Sequence, residues 1–298
     1  MRPLQANLML LSAGAIWGMG FIAQSSAMAT IGPILFVGLR FVVATLAVLP
    51  FALAEARGAH PPMARESWLG FVAIGLALFC GMVLQQIGLL TTSVTNSGFL
   101  TGLYVIFVPI VLVLAFRVIP HPIVWPATGL AFAGLFLLSG GAIVSLRIGD
   151  VLTIIAAVFW AMQVILVASF AKRSGRPLLL SLVQFAVCAV CGMALAFMVE
   201  PVSLAAIWNA LPEILFAGAI ASGLAFSLQA IGQRHTTPAL AAILLSTEAL
   251  FAALFGAAFL GERIGGIGYL GGLLIVAAII LVEALPAWRV QRLQPPRA

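Results

Sequence analysis

The stretch PILFVGLRFVVATLAVLPFALA, residues 33–54, decides the fold. It carries one charged side chain, Arg40, and no polar run that could face water. A helix crossing the hydrocarbon core of a bilayer needs about 20 apolar residues. A surface helix of a soluble domain would keep one polar face, and this stretch has none. The rest of the chain reads the same way. Of 298 residues, 63% are hydrophobic and 7% charged, against roughly 25% charged in a soluble domain. So few charges cannot cover a protein of this size in water, and lipid is the solvent for most of its surface.

Working outward from residues 33–54, ten apolar runs fit, near 7–27, 33–54, 67–89, 95–116, 123–145, 150–170, 177–199, 212–232, 238–260 and 266–285. Many edges coincide with Pro or Gly: Pro33, Pro61-Pro62, Pro120, Pro122, Pro177, Pro201, Pro212, Pro238, Gly265-Gly266 and Pro286. The expectation is an all-α membrane protein of ten transmembrane helices. The loop around Glu55–Glu66 is too short to hold an extramembrane domain. Arg2 ahead of the first run and Ala27-Met28-Ala29 behind it resemble a signal peptide, but the run is too long for an h-region, so it reads as a retained helix.

Ten spans sort the basic residues onto two faces. Arg2, Arg57, Arg65, Arg117, Lys172, Arg173, Arg176, Arg234, Arg289, Arg292 and Arg297 fall on the side of the N-terminus. Arg147 and Arg263 fall in loops opposite, and Arg40 lies within the second span. The positive-inside rule then places both termini in the cytoplasm of a bacterial-type inner membrane. The same bias explains the net charge of +6 and the pI near 10.3. Basic residues spread over loops do not form a nucleic-acid surface, and no nucleic-acid partner is expected.

Sliding the chain against itself by 143 or 144 residues produces an ordered match. Ile16-Trp17-Gly18-Met19 falls on Phe159-Trp160-Ala161-Met162, and Leu84-Gln85-Gln86-Ile87-Gly88 on Leu228-Gln229-Ala230-Ile231-Gly232. Thr92 falls on Thr236, Ala115-Phe116 on Ala258-Phe259, and Gly129 on Gly272. The spacing divides the chain into residues 1–145 and 146–298, five helices each. Five is odd, so the second copy enters the membrane from the opposite face. Two inverted five-helix repeats suit alternating access, in which similar halves rock about a site near the midplane. A duplication kept only for folding is the plainer alternative.

These residues resemble the EamA-type members of the drug/metabolite transporter superfamily. The resemblance is carried by Ala15-Ile16-Trp17-Gly18, by Pro33 with Leu39-Arg40-Phe41, by Asn96-Ser97-Gly98-Phe99-Leu100 with Pro109, and by Thr247-Glu248 with Leu260-Gly261-Glu262. It departs at Phe116-Arg117, where the family often has Gly-Glu, and at Ala249, where it often has Pro. The resemblance implies a ten-helix carrier of a small metabolite. The family includes amino-acid exporters, YddG-like aromatic amino-acid exporters among them, together with nucleoside and drug carriers. Export of an aromatic or other neutral amino acid is the expected function, and a drug, nucleoside or channel-like facilitator is the alternative.

Ionisable residues inside a span cost about 2.5–3.5 kcal/mol on insertion scales and are functional candidates by default. Glu248 lies about 15 Å past Pro238 at about 1.5 Å per residue, near the bilayer centre. It could bind a proton, hold a substrate ammonium, or brace a neighbouring helix. Its repeat partner is Tyr104. Arg40 could hold a carboxylate, pair with Glu248, or snorkel to the interface. Trp17 and Trp160 are repeat equivalents in mid-span, where an indole can wall a cavity or pack between helices. Trp68, Trp125, Trp208 and Trp288 lie near span ends and read as interfacial anchors. Gln85 and Gln229, placed toward opposite ends of the protein, suggest a pair of gates or simple interhelical bonds. Gln163, Asn96, Ser246 and Thr247 complete the polar lining.

Glycines at four-residue spacing, Gly14/Gly18, Gly98/Gly102, Gly261/Gly265 and Gly268/Gly272, read as close helix packing, the last pair also as a dimer face. The chain is therefore expected as a monomer or homodimer. Cys188 and Cys191 lie inside an apolar span and read as packing residues. His60, His121 and His235 sit in or beside loops, so no metal is expected. No Walker loop or dinucleotide fingerprint occurs, and no cofactor is expected. An intramembrane enzyme would need clustered acids or a nucleophile with its base; the eight acidic residues are scattered.

Overall fold

Proline opens several helices, because the residue at the first helical position needs no N–H partner and its φ is already helical. In the computed structural model, Pro3, Pro33, Pro177 and Pro238 each stand at a helix start. The structure describes residues 1–58, 62–141, 146–261 and 263–293. Ala59, His60, Pro61, Glu262 and Arg297 lie outside them, as do the side chains of Pro286, Trp288, Arg289 and Arg292.

The spans are α1 (Pro3–Ala27), α2 (Pro33–Ala56), α3 (Arg65–Gly88), α4 (Val94–Leu114), α5 (Val124–Leu138), α6 (Ile148–Ser174), α7 (Pro177–Val199), α8 (Leu211–Gln233), α9 (Pro238–Phe259) and α10 (Gly266–Leu293). Among the described residues eight helices are long and apolar enough to cross a membrane, and α5 and the Gly266–Val282 part of α10 are shorter apolar stretches. The α5 run ends earlier than residue 145: Gly140 and Gly141, at φ 102° and 67°, turn the chain out of the helix. A short helix, Leu204–Asn209, precedes α8. The outward-facing Trp68, Trp125 and Trp208 are exposed near the span ends.

The packing follows the repeat. Helix α3 packs on α6 and α7, and correspondingly α8 packs on α1 and α2. Helix α4 meets α6 as α9 meets α1, while α2–α7, α4–α9 and α5–α10 pair with their own counterparts. Exchanging each helix for the one five places along leaves this pattern unchanged. The chain is thus two inverted five-helix repeats. Close packing rests on glycine where α1 crosses α9: a Cβ on Gly14 would stand 2.6 Å from Thr247 Oγ1, and one on Gly18 2.6 Å from Phe251 Cβ. Between α5 and α10 the close glycines are Gly134 and Gly271, not Gly268 and Gly272.

Among the described residues two spans are discontinuous. Helix α4 breaks between Gly102 and Tyr104, and α9 between Leu245 and Thr247. The bonds there tighten to i−3, from Ile106 N to Leu103 O (2.9 Å) and from Ala249 N to Ser246 O (3.2 Å). In α4, Pro109 lacks an N–H and crowds the carbonyl four residues back. In α9, Ser246 Oγ and Thr247 Oγ1 donate back to Ile243 O and Leu244 O at 2.8 and 2.7 Å, a bond that bends helices. The two breaks occupy corresponding repeat positions. Helix α8 contains a π-helical stretch, Phe216–Leu224, which contains Gly218 and Gly223.

Candidate functional site: a central cavity between the repeats

The two breaks place Tyr104 and Glu248 beside one cavity. Trp17, Phe21 and Gln24 of α1 line it, with Arg40 of α2, Met82 and Gln85 of α3 and Thr101 and Tyr104 of α4. From the second repeat come Trp160, Gln163 and Val164 of α6, Ala221, Phe226 and Gln229 of α8, and Leu245 and Glu248 of α9. The unfilled space among these residues is about 460 Å³, counting the part open to solvent. Both repeats contribute, in equivalent places: Trp17 and Trp160, Met82 and Phe226, Gln85 and Gln229, Tyr104 and Glu248.

The aromatic wall is built around Phe226. Its ring stacks on Trp160 with centroids 5.9 Å apart and planes 14° apart, and meets Trp17 at 4.7 Å. Trp17 Nε1 donates to Ala221 O at 2.9 Å, a carbonyl in the π-helical stretch. Trp160 Nε1 is buried and has no hydrogen-bond partner.

Arg40 does not snorkel. Its side chain is 1% exposed and points inward. Nε and Nη2 donate to Ser222 Oγ at 3.0 and 2.9 Å, and Nη1 donates to Gln24 Oε1 at 2.8 Å. Met82 Sδ lies 3.6 Å from Nη1. The guanidinium carbon lies 5.4 Å from the Phe41 ring centroid and 5.9 Å from that of Phe36. Neutral dipoles and ring faces thus hold an always-charged group. Among the described residues no carboxylate pairs with it, Glu248 included. This is a positive site without a counter-ion.

Glu248 is 4% exposed, with Tyr104 beside it. The pair does not reach good hydrogen-bond geometry, and Glu248 Oε1 and Tyr104 Oη have no other partner. The amides form two groups. Gln85 Nε2 donates to Thr101 Oγ1 at 2.6 Å. Gln163 and Gln229 exchange two bonds of 3.2 and 3.0 Å, and Gln163 Nε2 also donates to Gln184 Oε1 at 3.2 Å. Gln85 and Gln229 therefore belong to the wall of a single cavity.

Asn96 and Thr247 do not line it. Asn96 Nδ2 donates to Asp150 Oδ1 at 2.6 Å, joining Thr92 Oγ1 on the same oxygen, and so ties α4 to the start of α6. The Thr247 hydroxyl bonds backward along α9 and packs on Gly14. Sequence reading missed Gln24, Ser222 and Phe226. Gln24 lies seven residues past Trp17, on the same helical face, and Phe226 is the repeat equivalent of Met82. Ser222 has no such marker, because a π-helical stretch changes which residues share a face.

A model of the EamA-like transporter family matches residues 4–140 and again 147–284. An uncharacterized transporter of Archaeoglobus fulgidus is 30% identical over 285 residues, covering 95% of this chain and 87% of that protein. A solved crystal structure of 17% identity covers 96% of this chain and 98% of its own at a TM-score of 0.77, which shows a shared fold. Two family matches, one on each five-helix repeat, with a cavity between them, lead to one assignment: this chain is a multi-pass membrane transporter and belongs to the EamA-like transporter family.

Proposed function

We propose that the protein exports a neutral amino acid, aromatic or otherwise large and apolar, by alternating access. The observation that carries this reading is that a base and an acid, Arg40 and Glu248, line one apolar cavity without pairing with each other. Among the described residues Arg40 offers a guanidinium with no acidic partner, and Glu248 a carboxyl with an unpartnered oxygen. A zwitterion presents a carboxylate to the first and an ammonium to the second. Trp17, Trp160 and Phe226 cover an apolar side chain. A hydrophobic guest fixed by a few placed polar groups is the usual design of a small-molecule site.

Residues 1–145 and 146–298 are the halves that exchange the cavity between faces, with the N-terminal face cytoplasmic. The broken middles of α4 and α9 support this, since carriers built from inverted repeats bind at discontinuous helices. Purified protein in liposomes loaded with unlabelled phenylalanine should accumulate labelled phenylalanine by counterflow. A simple pore gives none, and absence of movement across a panel of amino acids would reject the substrate class.

A further inference from the structure

Two carboxylates lie outside the cavity and have no part in the reading above. Glu55 stands near the end of α2, and Glu200 just past the end of α7. Each faces the start of the other's helix. Pro33 and Pro177 open these helices at equivalent repeat positions. The N–H groups that follow have no acceptor within their own helix. Glu200 Oε1 accepts from Ile34 N at 2.9 Å, and Oε2 from Leu35 N at 2.8 Å. Glu55 Oε1 accepts from Leu178 N at 3.3 Å, and Oε2 from Leu179 N at 2.8 Å. An anion at a helix N-terminus also meets the positive end of the helix dipole. Because α2 and α7 cross the membrane in opposite directions, one such clasp lies at each face.

Between the clasps the two helices touch through their backbones. A Cβ on Gly192 would stand 2.9 Å from Gly38 Cα, and one on Gly38 2.9 Å from Met193 N. No other pair of helices is packed so extensively among the described residues.

We propose that α2 and α7 form a fixed spine, fastened at both faces by Glu200 and Glu55, about which the other helices of the two halves move. The inference rests on the alternating-access reading. A gate contact exists in one state and is absent in the other. Here both clasps are made at once, with backbone-level packing between them. A contact of that kind suits a pivot. The moving contacts then lie away from α2–α7, toward the broken middles of α4 and α9.

The test fastens each end covalently and asks whether the cavity still opens to both faces. The protein carries Cys80→Ala, Cys188→Ala, Cys191→Ala and, in the cavity wall, Val164→Cys. A benzophenone amino acid replaces Thr30, to capture the end of α7, or Ser174, to capture the end of α2. Peptide mass mapping identifies the cross-link. A membrane-impermeant maleimide is applied to right-side-out and inside-out vesicles before and after irradiation. A spine leaves the cavity thiol labelled from both faces after either cross-link. Labelling lost from one face upon cross-linking would make that end a gate and overturn the proposal. Labelling from fewer than two faces before irradiation would overturn alternating access itself, and the spine with it. If Val164→Cys fails to fold, Ala221→Cys on the opposite wall gives the same readout.

Discussion

The hydroxyl of Tyr104 and the carboxyl of Glu248 face one another across the interface of the two repeats, each just past the break in its helix. They are repeat equivalents brought into contact, so the pseudo-symmetry axis passes close to the ionisable group. On the alternating-access proposal, a proton or ammonium held at Glu248 would sit where movement of one half against the other changes its surroundings most directly.

Glu248→Gln keeps the shape and part of the hydrogen bonding but cannot ionise. A charged hydrogen bond is worth about 1.5–3 kcal/mol, so transport should fall about ten- to a hundredfold while the folded yield stays near that of the parent. Counterflow measured across a pH series checks it. A normal rate and an unaltered pH profile would make Glu248 structural.

Trp17→Leu and Trp160→Leu keep most of the apolar volume and remove the indole face. Each loses an aromatic contact with Phe226 worth about 0.5–1.5 kcal/mol. Substrate affinity should weaken about two- to tenfold in each variant, read from the concentration dependence of counterflow. Trp17→Leu also frees the Ala221 carbonyl, so it should be the less stable of the two. Unchanged kinetics in both would remove the aromatic wall from the site.

Ser222→Ala deletes the acceptor of two Arg40 donors. A buried donor left unsatisfied costs about 1–3 kcal/mol, so the melting temperature in detergent should drop. Added phenylalanine should recover more of it than in the parent, because a substrate carboxylate replaces the lost acceptor. Equal ligand stabilisation in the two proteins would separate Arg40 from substrate binding.

Cysteines at Thr92 and Ala206 should react with an impermeant maleimide outside intact cells, and one at Ser174 only after the inner face is exposed. This follows from span length and the positive-inside bias. Reaction of Ser174→Cys from outside would reverse the orientation.

The spans were legible because lipid imposes a composition no soluble helix has, and the inversion because five crossings per repeat is odd. Trp17, Trp160, Tyr104 and Glu248 stood out as polar or bulky groups in mid-span with partners at the repeat offset. Asn96 was read as cavity lining from its polarity alone, yet its amide is taken by Asp150, a residue on another helix. Ser222 was invisible for a different reason. Its direction depends on the wider π turn of α8, and nothing in FAGAIASGL, residues 216–224, distinguishes that turn from an ordinary apolar helix. The role of Arg40 depended on Gln24 and Ser222 arriving from two other helices, so its inward course became visible only in the packed bundle.

The reciprocity of Glu55 and Glu200 also bears on ancestry. A contact in which one surface meets its own equivalent is the isologous type found in two-fold symmetric dimers. One five-helix polypeptide, inserted in both orientations, would make the same contact with a second copy of itself using a single glutamate and a single proline-led helix. Joining two such copies in one chain frees the equivalent positions to differ. Tyr104 and Glu248 show that freedom in use: a dimer of identical copies would place two identical residues face to face on its axis, whereas a chain that joins the two copies can set a phenol against an acid there.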